Sequence, residues 1–207
     1  MRLYFKPGAC SLASRIVLIE LGRPFEAISV DTETGRTESG LDYRTINPRG
    51  YVPALELDGG DVITENPAIL QYLADLDPHT SLAAFNGGMD RVRLQEVLNF
   101  ISSELHKAFS PFFRGAPLSD DQAKAARAVL SRRIGDVEAR LSDDRTYILG
   151  EAMTVADPYL FVVLNWAGFI GFALGDWPRV AAYVQRMAAR ASVRTALVQE
   201  GLAEAVA

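Results

Sequence analysis

A chain of 207 residues, 49% hydrophobic and 23% charged, has room for one or two packed domains and the make-up of a soluble globular protein. Its net charge of −5, with no basic run or basic–aromatic patch, argues against nucleic acid as a partner. One cysteine and two distant histidines, His79 and His106, build neither a disulfide framework nor a zinc site, and no apolar run reaches the ~18 residues of a membrane span. The first residues lack the basic stretch and apolar core of a signal peptide. The expectation is a cytoplasmic protein with no metal, no nucleic acid and no membrane partner.

Taken in order, Arg2–Phe5 is a short apolar run and predicts a strand. Lys6-Pro7-Gly8-Ala9 reads as a turn, and Ser11–Leu21 as a helix whose N-terminus carries Cys10. Gly22-Arg23-Pro24 breaks the chain before a second strand over Phe25–Val30. A helix between two short strands predicts parallel pairing through a right-handed crossover. Asp31–Arg49 is polar and reads as a loop with a turn of helix at Leu41–Thr45. Pro53–Leu57 and Asp61–Thr64 flank Asp58-Gly59-Gly60, a hairpin signature. Asn66-Pro67 joins an N-cap residue type to a proline at the first helical position, and apolar residues continue the helix through Ala74. The order βαβ–ββα, four strands with helices on the face, predicts an α/β thioredoxin-like domain over residues 1–78.

Leu76-Asp77-Pro78-His79-Thr80 opens a linker, placed at residues 79–87. Residues 88–207 read as an all-α helical bundle. Arg91–Phe113 is a long helix ended near Pro111 or Gly115, and Ser119–Leu141 is a second with Ser119 as its N-cap. Thr154-Val155-Ala156-Asp157 reads as a capping box, its hydroxyl accepting from a backbone N–H while Asp157 reaches back. Tyr159–Leu174 is apolar all round and suits a central helix; Trp177–Ala189 and Ser192–Glu200 follow.

Cys10 is the one cysteine and has two readings. A lone cysteine is commonly a small buried hydrophobe. At a helix N-terminus it meets unpaired N–H groups and the positive end of the dipole, which lower the thiol pKa below ~8.5. Val52-Pro53, just before a hairpin strand, is either a trans proline at an edge, the commoner case, or a cis bond. The thioredoxin-like unit resembles a family that carries a cis proline beside its catalytic cysteine, which favours the cis form here. In that bend the backbone of Val52 turns outward and can pair with an extended peptide. Glu65-Asn66 either caps a helix or grips an amino-acid head group, Asn66 and the helix end taking the carboxylate and Glu65 the ammonium. An extended peptide with such a head group is glutathione.

The stretches Tyr4-Phe5-Lys6-Pro7-Gly8-Ala9-Cys10-Ser11-Leu12-Ala13-Ser14, Asn47-Pro48-Arg49-Gly50-Tyr51-Val52-Pro53-Ala54-Leu55, Ile63-Thr64-Glu65 and Thr154-Val155-Ala156-Asp157 resemble, in this order and over essentially the whole chain, the bacterial beta class of glutathione S-transferases. The resemblance implies the glutathione transferase fold, glutathione as co-substrate, a homodimer, and cysteine as the reactive residue. It implies glutathione contacts from Ala9, Val52, Pro53, Glu65 and Asn66. By itself His106 reads as a core or solvated histidine. At 100° per residue Asn99, Ser103 and His106 share one face of a regular helix. The resemblance makes His106 the second catalytic group and lets Asn99, Ser103 and Lys107 line the tripeptide site, with Ser103 and Glu104 reaching toward the neighbouring subunit's ligand. One departure stands out: the family commonly has a lysine near position 35 for the tripeptide's glycine carboxylate, whereas this chain has Gly35 with Arg36 next, so Arg36 is expected to take that role.

Two chemistries are then open. The Cys10–His106 pair stabilises a glutathione thiolate that attacks a small apolar electrophile, or Cys10 itself attacks a glutathione disulfide or adduct in thiol exchange, with glutathione-dependent peroxidase activity through the same thiol. An apolar electrophile site is expected among Phe5, Leu12, Phe109, Phe112, Phe113, Trp166 and Phe169. Trp166 also reads as simple core. Alternatives are a specialised glutathione-dependent lyase, dehalogenase or isomerase, a non-catalytic binding protein of the same fold, and Ser11 as nucleophile in place of Cys10.

Overall fold

The computed structural model describes residues 1–77, 79–113 and 115–204. Pro78, read above as linker, and the last three residues of the expected helical domain lie outside the described residues. The chain divides into two compact units, residues 1–80 with the segment from Ala188 onward, and Ser81–Met187. This departs from the expected division at 78 and 88. Helical pattern alone places the last helix with the bundle, whereas its apolar face packs on the first unit's opening helix.

In the first unit β1 (Arg2–Phe5) leads into α1 (Ser11–Glu20) and β2 (Glu26–Asp31). β1 and β2 pair in parallel, Leu3 opposite Ala27 and Tyr4 opposite Ile28, as a βαβ crossover requires. β4 (Ala54–Glu56) and β5 (Val62–Thr64) form the expected hairpin around the Asp58–Gly60 turn, and β4 runs antiparallel to β1. The sheet has five strands, order β3-β2-β1-β4-β5, not four. The extra one, β3 (Arg36–Thr37), is two residues long and lies inside the stretch read as loop. A two-residue strand is too short to carry any alternation. The turn of helix expected in that stretch is a 3₁₀ turn at Tyr43–Thr45, capped by Asp42.

α2 (Asn66–Asp75) begins one residue earlier than Asn66 as a cap would require: Glu65 holds the N-cap position and Asn66 is already helical and buried. α8 (Ala191–Gln199) packs on α1. Its end supplies Glu200, whose carboxylate accepts from the N–H of Gly8 at 2.9 Å and pairs with Arg15 Nε at 3.0 Å. Both side chains of that pair are buried, and the Arg15 guanidinium also lies 4.1 Å over the Phe5 ring. Burial pushes Glu200 up and Arg15 down from their ordinary values, and mutual attraction opposes both shifts. Arginine does not surrender its proton in proteins, so Arg15 carries its charge into this buried pair.

The second unit is helical. α3 (Met89–Phe100) runs through a π-helical turn at Ile101–Leu105 into α4 (His106–Phe113), with Pro111 inside the last turn. α5 (Asp120–Arg140) starts on a complete capping box, Ser119 with Gln122, and two acidic residues in its first turn suit the dipole. α6 (Ala156–Phe169) is nearly all buried, and α7 (Pro178–Ala188) follows it. The expected Thr154 capping box is half right. Asp157 reaches back to the Thr154 N–H at 2.8 Å, but the Thr154 hydroxyl donates to that carboxylate instead of accepting from the backbone. The N–H of Ile148 and the Tyr183 hydroxyl complete four donors around Asp157, which burial pushes up from its ordinary value and those donors hold down.

Candidate active site

The loop Lys6–Ala9 brings Cys10 to the N-cap of α1, where the N–H of Leu12 turns back to the Ala9 carbonyl and that of Ala13 to the Cys10 carbonyl, both at 3.1 Å. Gly8 adopts φ +73°, a conformation open to glycine at no steric cost, and its N–H is the one tied to Glu200. The Cys10 thiol is half-buried and its Sγ lies 3.5 Å from the carbonyl oxygen of Val52. Beside it Ser11 is fully buried, its hydroxyl bonded within the same turn to the backbone of Lys6. A sealed hydroxyl with both neighbours on the main chain cannot meet a substrate, which removes Ser11 as the alternative nucleophile.

The Val52–Pro53 peptide bond is cis. The segment before it is pinned twice at one carbonyl: Tyr51 O accepts from the Tyr43 hydroxyl at 3.1 Å and from Asn47 Nδ2 at 2.7 Å. Burial pushes the Tyr43 phenol up to about 12, so it stays a donor. Ala9 packs against the small core that contains Val52, Tyr43 and Tyr4. The Val52 N–H has no hydrogen-bond partner among the described residues, which leaves an outward backbone donor next to the thiol.

At the β5–α2 corner Glu65 sits at φ +69°, a region rare for residues with a side chain. Its carboxylate meets Arg49 at 3.1 Å, both side chains being more than half exposed. Asn66 is turned the other way. Its Nδ2 donates to the carbonyl of Cys10 at 2.7 Å and its Oδ1 accepts from Ser14 at 2.8 Å. The amide was expected to grip a ligand or cap its helix; it instead bolts α2 to the start of α1. At the start of α2 Pro67 has no N–H and the Ala68 N–H donates to the Glu65 carbonyl at 3.0 Å, so the Asn66 N–H is the first-turn donor left for an anion. Arg36 is exposed, but its guanidinium bonds the Gly40 carbonyl at 2.8 Å, within its own hairpin.

The second unit presents the other expected residues in two separate settings. His106 is half-buried: its Nδ1 lies 3.0 Å from the Tyr159 hydroxyl and its ring meets Trp166 edge-on at 4.7 Å. Desolvation, with a smaller push from Lys107, lowers its pKa to about 4, so it is neutral at pH 7. A Tyr159 hydroxyl that donates to Nδ1 leaves the proton of the neutral ring on Nε2 as a hydrogen-bond donor, and the opposite direction leaves it on Nδ1. Asn99 and Ser103 are exposed and joined to each other, the Ser103 hydroxyl donating to the Asn99 carbonyl at 2.9 Å. Ser103, Glu104 and Lys107 line a groove of about 550 Å³ facing α5, where Glu104 pairs with Arg133. The π turn at Ile101–Leu105 contains Ser103 and separates Asn99 from His106, so the regular 100° spacing that put the three on one face does not apply. Of the expected electrophile wall, Phe5, Leu12, Phe109 and Trp166 are buried, whereas Phe113 and Phe169 are exposed. Phe113 stacks edge-on against Trp166 at 5.5 Å, which leaves Phe112, Phe113 and Phe169 as apolar surface.

Tyr159, Gly8 and Glu200 are partners of the candidate site residues and their loop that sequence patterns do not reveal. Glu200 lies 192 residues from the glycine it holds, and no local signal marks such a pair. Among the described residues no cluster of side chains fits a metal ion, and no helix is long and apolar enough to cross a membrane.

Two family models match: the glutathione S-transferase N-terminal domain over residues 8–76 and the C-terminal domain over residues 100–191. The glutathione S-transferase GstA of Escherichia coli O157:H7 is 46% identical over 203 residues, 98% of this chain and all of that protein. The beta-class glutathione S-transferase of Sphingomonas chungbukensis has a structure that superposes with a TM-score of 0.93 at 44% identity, over 98% of this chain and all of the other. A sphingomonad glutathione S-transferase solved in complex with glutathione gives 0.92 at 45% identity, with the same coverage.

Proposed function

The chain belongs to the glutathione S-transferase family, in its bacterial beta class, and we propose that Cys10 is the group through which it handles the sulfur of glutathione. Glutathione transfer is its chemistry, and glutathione its co-substrate. The observation that carries the assignment to Cys10 is the arrangement within the first unit. A half-buried thiol at a helix N-terminus lies 3.5 Å from the Val52 carbonyl, next to an unpartnered Val52 N–H, and the strained Glu65 corner is tied to it through Asn66. An extended peptide pairs with Val52 through both backbone groups, as one strand pairs with another. Its amino-acid end then meets the Asn66 N–H at the start of α2, which takes the carboxylate, and Glu65, which takes the ammonium.

With the tripeptide so held, Cys10 thiolate attacks the glutathionyl sulfur of a mixed disulfide. A Cys10–glutathione bond forms, the old S–S bond breaks, and the displaced thiolate takes up a proton from solvent. A second glutathione thiolate then attacks that bond, releasing oxidised glutathione and restoring Cys10. In conjugation the glutathione thiolate attacks an electrophilic carbon and expels its leaving group, Cys10 serving only to hold the sulfur. His106 is assigned as a neutral donor to that sulfur, its N–H fixed by Tyr159. The electrophile is a small apolar molecule, and Phe112, Phe113 and Phe169 are the surface assigned to it. The working form is assigned as a cytoplasmic homodimer in which Ser103 and Glu104 face the neighbouring subunit.

Calorimetry with glutathione, followed by a panel of aryl halides and glutathione mixed disulfides, tests the proposal. Binding of glutathione with turnover of both classes is expected. Turnover of mixed disulfides that survives Cys10→Ala would overturn the role of the thiol.

A further inference from the structure

The glycine end of glutathione carries a free carboxylate, and Arg36, the cation expected to hold it, is engaged with its own hairpin at Gly40. A different cation stands in the vacated position. Gly35 has φ +71°, and a Cβ built on it would lie 2.7 Å from Nη1 and 3.3 Å from Cζ of Arg44. A Cβ built on Gly50 would lie 3.8 Å from Nε of the same guanidinium. The Arg44 side chain is therefore folded back flat onto the backbone of Gly35, with Gly50 beside it. It is exposed and makes no hydrogen bond or ion pair among the described residues.

The backbone around it is fixed. The N–H of Tyr43 donates to the Gly35 carbonyl at 2.9 Å, and Asp42 caps the N–H of Arg44 at 3.0 Å. Gly50 stands two residues before Val52, and two residues of extended chain span about 7 Å. That is the reach from the residue of a tripeptide paired with Val52 to its terminal carboxylate. The α2 corner already takes the amino-acid end, so the opposite end needs a cation on the Gly50 side. Arg44 is the one that the fold aims there.

We propose that Arg44 is the residue that binds the glycine carboxylate of glutathione, and that Gly35 is glycine so that this guanidinium can lie there. The proposal rests on the site reading above. Arginine suits this role, because its planar fork matches a carboxylate with two parallel hydrogen bonds, and resting on backbone it loses little freedom on binding. A side chain at position 35 and the guanidinium of Arg44 exclude one another.

The test is calorimetric binding of glutathione and of its glycine monoethyl ester, which lacks that carboxylate, to the purified full chain and to three variants. Arg44→Gln should weaken glutathione about tenfold and leave the ester unchanged, while Arg36→Gln leaves both unchanged. Gly35→Ala should reproduce the Arg44→Gln result by displacing the guanidinium. The iodoacetamide rate at Cys10 should stay the same in Arg44→Gln, which separates lost binding from a disturbed thiol. A preference for glutathione over the ester that survives Arg44→Gln, or that vanishes in Arg36→Gln, overturns the assignment to Arg44 alone. A wild-type chain that binds neither ligand overturns the site reading on which it stands.

Discussion

The two units hold their reactive groups by different means. In the first, the backbone around Cys10 is placed by hydrogen bonds, two between distant stretches of chain, Glu200 on Gly8 and Asn66 on the Cys10 carbonyl, and two local ones, Tyr43 and Asn47 on Tyr51. In the second, His106 is placed mainly by aromatic packing against Trp166, with one bond to Tyr159. Directional bonds fix a thiol to within a fraction of an ångström, while packing sets a dielectric. The first unit thus holds a thiol by geometry, and the second holds an imidazole kept neutral by burial.

The sharpest test of that contrast removes the thiol. Cys10→Ala should lower turnover of glutathione mixed disulfides by about a thousandfold or more, because no other sulfur can form the intermediate. Conjugation of an aryl halide should fall by only about tenfold, roughly one lost hydrogen bond to the sulfur. Parallel steady-state assays of the two reactions separate them, and equal losses would erase the distinction between the two chemistries.

Glu200→Ala attacks the scaffold instead. It leaves the buried Arg15 charge unpaired and the Gly8 N–H without its acceptor, which should cost about 3–5 kcal/mol in urea unfolding. Glu200→Gln keeps an acceptor for Gly8 and should recover the Cys10 alkylation rate better than it recovers stability. Asn66→Ala removes two hydrogen bonds within the first unit and should cost about 1–3 kcal/mol, together with a changed iodoacetamide rate at Cys10. An unchanged rate would mean that the bond to the Cys10 carbonyl does not position the thiol.

The smallest effect belongs to His106. Its native pKa of about 4 lies below its ordinary 6.5, so the unfolded chain takes up the proton first as pH falls. Its contribution to stability is complete above pH 6.5 and is lost progressively as pH drops toward 4. Between pH 7.5 and 5.5 the loss should be about 1 kcal/mol, seen in urea midpoints of the wild type and missing in His106→Phe. An imidazole NMR titration with a midpoint near 6.5 would contradict the burial argument.

Much of this was legible in the residues. β1, α1 and the β4–β5 hairpin follow from a short apolar run, a helical period and an Asp-Gly turn, signals that act over a few positions. Cys10 at a helix start could be read the same way, whereas the cis bond at Val52 took the resemblance to a thioredoxin-like fold to favour it over the commoner trans form. Asn66 shows the limit of such reading: local preference makes it a cap, and only the fold reveals that its amide belongs to Cys10 and Ser14. Arg36 and Arg44 repeat the point. Sequence ranks cations by distance along the chain, and Arg44 lies nine positions beyond Gly35 yet rests on it. The π turn before His106 changes which side chains share a face, and no residue pattern announced it.

The strut that Glu200 provides also fixes an order of events at the ribosome. Synthesis delivers the whole helical unit before the stretch that completes the first one, so the newborn sheet and its sulfur wait, half assembled, for more than a hundred further residues to emerge. Clipping α8 would therefore injure the loop at the opposite terminus before it touched the bundle translated just ahead of it.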